Sequence, residues 1–436
     1  SEAEQAVPRL NHFANLYMNA KLPAWYMQLM LSVRQIGLDK GKIWTDGNTD
    51  YRFIGIEENL RRLFWNVAFN SHGKCFQNFF EPQQLAMGTP AGGQILALGT
   101  ALLMEQNPDH IFIQDDLENM FGTAIRMEGV KNILANSDCS PWHKIIEYEN
   151  YPMANSYIQN GQGKLTRAPW DYEEGGQQGA TVSSLTACAA IQPYLKQLDE
   201  TLRPHGGSAR KGIDDGVTHA PPGVLWPAIE KFYKDILEHC GLQVNRPKTK
   251  VYSPNGNYVG KPQEFAIGSV SAIMPNHLNG EPTEITAEGL TIWGVATSQD
   301  DDFIRANLAA KTKEVCSNIN NITNSLNSLS PDVAFTVLRL SLQARLQYHQ
   351  QTHRHDLLSN TNQAVQNTLD KAVNQIFGFD PSSATLPDPR TMSDLIALPA
   401  RYKGLGLRRM DDFVGATASI GGWDMVSRNF IDRTDV

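Results

Sequence analysis

The chain has 436 residues, of which 41% are hydrophobic and 19% charged, and this length and composition predict a folded protein with two or three subdomains. No apolar run approaches the length of a membrane span, and the first residues lack the basic and apolar regions of a signal peptide, so we expect an intracellular protein without a membrane partner. The net charge of −8 argues against a uniformly basic nucleic-acid-binding protein, because phosphates are bound mainly by Lys and Arg.

The charge is unevenly distributed along the chain. From Phe303 onward there are 14 Lys and Arg against 12 Asp and Glu, whereas the preceding residues contain 24 against 34. Any surface that follows a phosphate backbone is therefore expected to be local, and the C-terminal third is the better candidate.

Helical spacing dominates the N-terminal region. Residues 1 to about 105 predict helices, since LPAWYMQLMLSVRQIG and EENLRRLFWNVAFN carry apolar residues at helical spacing on either side of a polar, turn-rich stretch. The next segment, HIFIQD, has the apolar run of a buried strand, and LENMFGTAIR predicts a helix after it. Residues 137–175 are polar, aromatic and Gly-rich, which predicts a hairpin with irregular connections.

Helices are predicted again in the second half. ATVSSLTACAAIQPYLKQLDETL predicts a helix rich in small residues, and PAIEKFYKDILEHCGL an amphipathic one with Pro227 in its first turn and Gly241 at its C-terminal stop. Residues 253–288 predict hairpin turns. The stretch from Asp302 to Phe379 predicts helices, with Ser330 as an N-cap before Pro331.

Three carboxylates stand where the chain is predicted to turn. Asp116 follows the predicted strand, and Asp214 and Asp215 come much later, in GIDDG. Taken alone, an Asp-Asp pair before Gly is more typical of a solvated turn. Acids from two separate elements, however, are what nucleotidyl transfer needs to hold two divalent cations about 3.5–4 Å apart.

Further segments follow in the order of one family's motifs. They are DLENMFGTAIR, GGQQG at 175–179, the GIDDG turn with its amphipathic helix, NRPKTK, GLTIWGVATS with Trp293-Gly294, and LPARYKGLGLRRMDD, in which Lys403 precedes Gly404 and Gly406. Over roughly residues 80–412, the chain resembles the reverse transcriptase domain of non-LTR, LINE-like retroelements.

This resemblance implies an α+β right-hand polymerase fold. Residues 1–109 would form a helical N-terminal or fingers region, and residues 301–436 a helical thumb and C-terminal region. Residues 110–300 would form a palm with an antiparallel sheet, the metal-binding carboxylates and an inserted fingers-like segment at 137–175.

The resemblance also implies roles for individual residues. Asp116 and Asp214, completed by Asp215, would be catalytic and would hold two Mg²⁺ ions. Phe121 would exclude a 2′ hydroxyl, which implies deoxynucleotide substrates. The remaining positions would support the nucleotide or the template; they are Asn119, Arg126, Gln178, Gly179, Ser183 and Lys248, with Lys248 contacting the triphosphate or protonating pyrophosphate.

The implied function is RNA-directed DNA polymerisation, with an RNA template, a DNA primer and dNTPs as partners. Three departures from the family's pattern favour an alternative. QQLAMGTPAGGQ contains no basic residue where the family grips the triphosphate, Lys211-Gly212 replaces an aromatic before the Asp pair, and Ala180-Thr181 replaces Asp-Pro. The alternative is a catalytically reduced or inactive polymerase-fold protein, a scaffold or RNA-binding subunit whose protein partners supply basic surface. Phe121 argues against a third reading, an RNA-dependent RNA polymerase.

Other patterns carry less chemistry. His349 and His353 have the i, i+4 spacing of zinc ligands, with His355 and Asp356 close by, but a solvated helix end is the favoured interpretation. GQGKLTRAP lacks the spacing of a phosphate-binding P-loop. The five cysteines show no CxxC spacing and are expected to be reduced and mostly buried; they are Cys75, Cys139, Cys188, Cys240 and Cys316.

Overall fold

The computed structural model describes residues 2–43, 47, 49–150, 156–159, 163–168, 175–245, 248–255, 284–286, 288–327, 330–378, 396–402, 404–410 and 412–431. It combines helices with largely antiparallel sheets, which confirms the predicted α+β class. None of the described helices has both the length and the apolar character that a membrane span requires.

The elements are numbered in chain order. The first half contains α1 (Glu2–Met18), α2 (Ala24–Leu31), β1 (Val33–Ile43), β2 (Thr49–Ile56), α3 (Asn59–His72), α4 (Lys74–Phe80), α5 (Gly92–Gln106), β3 (Ile111–Asp115), α6 (Met120–Thr123), α7 (Arg126–Leu134), α8 (His143–Asn150), β4 (Ser156–Gln159), β5 (Leu165–Arg167) and α9 (Thr181–Leu202). The second half contains β6 (Ser208–Gly212), β7 (Asp215–Ala220), α10 (Pro222–Cys240), β8 (Lys250–Tyr252), β9 (Glu284–Thr286), β10 (Leu290–Ile292), β11 (Val295–Thr297), α11 (Asp301–Asn327), α12 (Pro331–Val337), α13 (Gln347–Thr352), α14 (His355–Phe377) and α15 (Asp412–Ile431).

The described residues divide into two compact units. The first unit contains the described parts of Ser1–Pro90, Asp109–Ser253 and Asn257–Ile285, and the second those of Ala91–Pro108, Pro254–Gly256 and Thr286–Val436. The boundaries of these units differ from those of the predicted regions 1–109, 110–300 and 301–436, and those regions stay predictions.

A four-stranded sheet in the first unit corrects part of the prediction for residues 1 to about 105, because β1 and β2 lie where the end of a helix and a turn-rich stretch were predicted. Strand β1 pairs antiparallel with β2 and parallel with β4, and β4 pairs with β5, which confirms the hairpin predicted within 137–175. Val33 and Gln35 are buried while Arg34 between them is exposed, and this alternation is that of a strand. The first part of 137–175 is helical up to Asn150 rather than irregular.

The second sheet of this unit has the order β6-β7-β3-β8-β9. Its face with Ile111, Ile113 and Val251 packs on α9 and α10 in the core. Helix α10 buries one amphipathic stripe and ends at Gly241, whose φ of 67° is left-handed, as predicted. It begins at Pro222, however, so Pro227 lies inside it rather than in its first turn.

The second unit is mainly helical. Helices α11 and α14 pack together through a core that includes Ile319, Val365 and Leu369. Ser330 caps α12 by accepting a hydrogen bond from the Val333 N–H at 3.5 Å, which confirms the predicted cap. The expected free cysteines are confirmed, and three of the five are buried.

Candidate active site

The first unit brings together acids from two distant segments. Strands β3 and β7 are antiparallel, and the last pair of their ladder is Asp115 with Gly216. Asp116 and Asp215 each lie one residue beyond this pair, so both are at the same end of the ladder. Asp214 occupies the turn between β6 and β7. The three predicted acids therefore lie at one end of this sheet.

These carboxylates interact electrostatically. Burial, and after it the charges of Asp214 and Asp116, raises the pKa of the Asp215 carboxyl to about 6, while Lys211 and Lys248 oppose the shift. A nearby anion raises the pKa of an acid because it disfavours the ionised form. The cluster therefore contains repulsion that a bound cation would relieve.

Lys248 forms an ion pair with Asp116. Its Nζ donates to both carboxylate oxygens of Asp116, at 3.2 and 3.0 Å. The Asp116 side chain is only 11% exposed, whereas that of Lys248 is 59% exposed and free to turn into solvent. The backbone of Asp116 is held by Asn245, whose N–H donates to the Asp116 carbonyl at 2.8 Å. The role of Lys248 towards a triphosphate stays a prediction.

A buried ion pair lies on the opposite face of the same strands. Lys211 Nζ donates to Asp115 Oδ1 at 2.5 Å, and Tyr233 Oη donates to Asp115 Oδ2 at 3.1 Å. A Cβ at Gly216 would lie 2.6 Å from the Lys211 ammonium, so glycine leaves the space for this pair. The unusual lysine before the Asp pair is therefore a buried partner of Asp115.

The GGQQG segment packs directly on the turn that follows Asp116. Gly176 N–H donates to the Phe121 carbonyl at 2.5 Å, and Arg126 Nη1 donates to the Gly175 carbonyl at 3.2 Å. Gly175 has a φ of 72°, and a Cβ there would lie 2.7 Å from the Phe121 carbonyl oxygen. Only glycine suits both conditions. Two sequence motifs are thus neighbours in space, while the exclusion of a 2′ hydroxyl by Phe121 stays a prediction.

The same segment is also joined to strand β2. The Gly55 N–H donates to the Gln178 carbonyl at 2.7 Å, and Gly179, with a φ of 101°, would place a Cβ 2.8 Å from the Gly55 carbonyl oxygen. Ser183 lies in the first turn of α9, where it contacts Gly176. The predicted roles of these residues under a template and nucleotide stay predictions.

The chemistry of the acid cluster suits Mg²⁺. Carboxylate oxygens are hard ligands, and Mg²⁺ is commonly held by one or two carboxylates together with water and substrate phosphates. In the part of the chain that the structure describes, no three His, Cys, Asp or Glu side chains are arranged to hold a metal ion as they stand. Binding of Mg²⁺ by Asp116, Asp214 and Asp215 therefore stays a prediction.

Two other motifs lie in the second unit. Trp293 and Gly294, with φ of 50° and 80°, form the two-residue turn between β10 and β11. Gly406 has a φ of 70°, and its N–H donates to the Leu398 carbonyl at 2.8 Å. Lys403, Asp411 and the loops within 256–283 lie outside the described residues.

The histidine pair is not a solvated helix end, and this correction has a clear cause. His349 and His353 are 6% and 4% exposed, and their burial lowers the pKa of His349 to about 4 and lowers that of His353. They line a pocket of about 230 Å³ with Lys311 and Glu314, among others. The sequence missed this burial because the packing of the helices determines it.

Sequence analysis also missed basic residues near the predicted nucleotide site. The register of β1 and β2 pairs Arg34 with Ile56 and Leu38 with Arg52, which places the two exposed arginines on one face. Strand β2 is the strand bonded to Gln178. The alternation around Val33 was the available signal, but the segment was interpreted as helix and turn.

Comparison with known proteins finds no matching family model and no matching curated protein. Among solved structures, the chain is similar to telomerase from Candida albicans in complex with a TWJ fragment of telomeric RNA, at 10% identity and a TM-score of 0.47, covering 94% of this chain and 63% of that one. It is also similar to apo telomerase from Candida tropicalis, at 10% identity and a TM-score of 0.42, covering 93% of this chain and 68% of that one.

A third structure, telomerase from Candida tropicalis with a TWJ fragment, matches at 11% identity and a TM-score of 0.43, covering 93% of this chain and 62% of that one. The match spans 62–68% of the length of these proteins. Their activities and partners therefore do not transfer to this chain.

Proposed function

We propose that this chain is an RNA-directed DNA polymerase with a right-hand fold, in which Asp116, Asp214 and Asp215 form the catalytic centre. The observation that supports the proposal is that Asp116 and Asp215 lie at the same end of the β3–β7 ladder, beside the hairpin turn that contains Asp214. Acids at adjacent strand ends are the arrangement that joint binding of divalent cations requires. The order of the retroelement-like motifs supports the same function.

The residues of the chain take distinct parts in this proposal. Asp116 and Asp214 hold two Mg²⁺ ions with Asp215, and these ions, when bound, activate the primer 3′ hydroxyl and stabilise the leaving pyrophosphate. Lys248 leaves Asp116 and turns to the triphosphate, where an ammonium group offsets phosphate charge. Phe121 blocks the space of a 2′ hydroxyl, and Gln178 and Gly179 support the incoming dNTP.

Primer extension on an RNA template tests this function. The parent protein with Mg²⁺ and dNTPs is expected to extend the primer, whereas Asp214→Asn, which keeps the side-chain volume, is expected to lose at least a thousandfold in rate. Glu147→Gln, which changes an exposed carboxylate on α8, is the matched control and should retain activity. Extension with NTPs as efficient as with dNTPs would instead indicate an RNA polymerase.

One observation favours the alternative of a catalytically reduced polymerase-fold scaffold or RNA-binding subunit. Lys248 already neutralises Asp116, as a residue would that has replaced the metal. No extension by the folded parent protein, together with binding of RNA that Asp214→Asn leaves unchanged, would establish this alternative.

A further inference from the structure

The turn of the acidic hairpin has an unfavourable backbone conformation. Gly212 pairs with Asp215, which leaves Ile213 and Asp214 as a two-residue loop. Ile213 has a φ of 72°. Such loops favour glycine or asparagine at positive φ, and a β-branched residue there is strained. Something must therefore hold this turn in place.

The side chain of Gln84 makes the contacts that hold it. Its Oε1 accepts from the Ile213 N–H at 2.8 Å, and its Nε2 donates to the Ile213 carbonyl at 3.2 Å. Gln84 is fully buried. A neutral amide is suited to this task because it donates and accepts at the same end of one side chain. Both backbone groups of the strained residue are thereby satisfied.

Gln84 is itself fixed by its neighbours along the chain. The Lys211 N–H donates to the Gln83 carbonyl at 2.7 Å, and the Leu85 N–H donates to the Lys211 carbonyl at 2.8 Å. Gln83 Nε2 donates to Asp199 at 2.9 Å, and Asp199 in turn accepts from the Ala209 N–H at 3.0 Å. Residues 83–85 therefore lie along β6 like a short added strand, with Gln84 continuing the hydrogen bonding into the turn.

We propose that Gln84 is a positioning residue that holds Ile213 in its strained conformation, so that Asp214 and Asp215 point to the position opposite Asp116. The proposal rests on the proposed function, because the acids need this geometry only if they act together. Without the amide, the turn relaxes to negative φ at Ile213, which redirects Asp214 by a large backbone rotation. Gln84 does not touch the reactants.

A double-mutant cycle with Ile213→Gly tests the proposal. Gln84→Met keeps the side-chain length but removes both hydrogen bonds, and it is expected to lower kcat of primer extension at least tenfold with little change in the KM for dNTP. In the Ile213→Gly background the same change should cost less than threefold, because glycine adopts positive φ without strain. Equal losses in the two backgrounds would overturn the proposal.

Gln350→Met is the matched control. Gln350 is a buried glutamine of the second unit, and its amide donates to the Asn362 side-chain oxygen at 2.9 Å rather than to the hairpin or its neighbours. This variant should lower stability while leaving kcat within twofold of the parent value. An equal fall of kcat in Gln350→Met would mean that loss of any buried amide is sufficient, which would overturn the positioning role.

Amide hydrogen exchange across residues 211–217 separates this inference from the proposed function. Gln84→Met should speed exchange there at least tenfold relative to the parent, and Ile213→Gly should reduce that difference. If exchange responds in this way but the parent protein shows no extension, Gln84 still holds the turn at Ile213, and the polymerase proposal fails. If the parent is active but Gln84→Met changes neither exchange nor kcat, the positioning role of Gln84 is wrong.

Discussion

Asp215 makes the acid cluster a source of instability when no cation is present. Its pKa is raised to about 6 by burial and by two neighbouring carboxylates, above the value of about 3.9 for an unfolded chain. The folded state therefore binds the proton more tightly, and its stability falls as pH rises from about 4 through 6.

We predict that Asp215→Asn raises the free energy of unfolding at pH 8 in the presence of a chelator and changes it little at pH 4. Added Mg²⁺ should stabilise the parent more than this variant, because the ion offsets the repulsion that the variant lacks. Urea unfolding at both pH values measures the effect, with Glu147→Gln as the exposed-acid control. A parent and variant with the same pH dependence would contradict the electrostatic coupling of the three acids.

Lys248 competes with any cation for Asp116, so its removal should strengthen metal binding but weaken the use of dNTP. Lys248→Met should tighten Mn²⁺ binding in the absence of nucleotide, because the ammonium no longer neutralises Asp116. The same variant should lower kcat/KM for dNTP at least tenfold, because a contact to the triphosphate is lost. Calorimetric titration and steady-state extension measure the two effects.

Lys231→Met is the control for this prediction, since Lys231 pairs with Asp235 on the exposed surface of α10. Both quantities should stay at parent values in this variant. If Lys248→Met weakens Mn²⁺ binding, the lysine supports the site rather than competing for it, and the role assigned to it is wrong.

At the scale of elements, a buried ionic network joins α3 to α8. Arg61 donates to Glu149 from Nη2 at 2.9 Å and to Glu57 from Nη1 at 3.0 Å, and Trp65 Nε1 donates to Glu149 at 2.7 Å. Glu57 also accepts from the N–H and hydroxyl of Thr181 at the start of α9. This network therefore connects the four-stranded sheet region with the helix that follows GGQQG.

Breaking this network should cost far more than breaking an exposed pair. We predict that Arg61→Met lowers the free energy of unfolding by about 3–5 kcal/mol, because it leaves the buried carboxylates of Glu57 and Glu149 without their positively charged partner. Arg428→Met, which removes an exposed pair with Asp424, should cost less than about 1 kcal/mol. Urea unfolding measures both. Adding Glu149→Gln to Arg61→Met should recover part of the loss, and equal losses in the two single variants would contradict the prediction.

Helices were predictable from sequence because their signals are local. The stripe of α10 and the Ser330 cap of α12 depend on residues within a few positions of one another. Strands β1 and β2 were missed because Gly37 and a polar stretch interrupt the alternation. The pairing of β1 with β4 depends on a segment more than a hundred residues away.

The candidate site was also predictable only in part. The acids were found because the residue types and their order are visible in the sequence, and the strand register then placed Asp116 beside Asp215. Gln84 and Lys211 were missed as supporting residues because their roles depend on which strand lies beside which. A glutamine near the start of a Gly-rich loop carries no sequence signal that it holds a turn some 130 positions later.

At the scale of the whole molecule, an acidic chain that binds nucleic acid needs a local basic surface. The sequence pointed to the C-terminal third, but the β1–β2 sheet also presents Arg34 and Arg52 on one face, and β2 is bonded to Gln178. Each phosphate contact made by such a residue releases a counterion, so the affinity becomes steeper in its dependence on salt.

We predict that Arg34→Gln and Arg52→Gln each reduce the slope of log affinity against log salt concentration by about 1 for an RNA–DNA duplex. The effect should be additive in the double variant, as expected when each arginine contacts its own phosphate. Lys131→Gln is the control, because its side chain is 74% exposed and pairs with Glu128 on α7 of the same unit. Fluorescence anisotropy across a salt series gives the slopes. If Arg34→Gln and Arg52→Gln show the same salt slope as the control Lys131→Gln, the duplex does not follow the β1–β2 sheet. The basic surface must then lie elsewhere on the chain or on a partner protein.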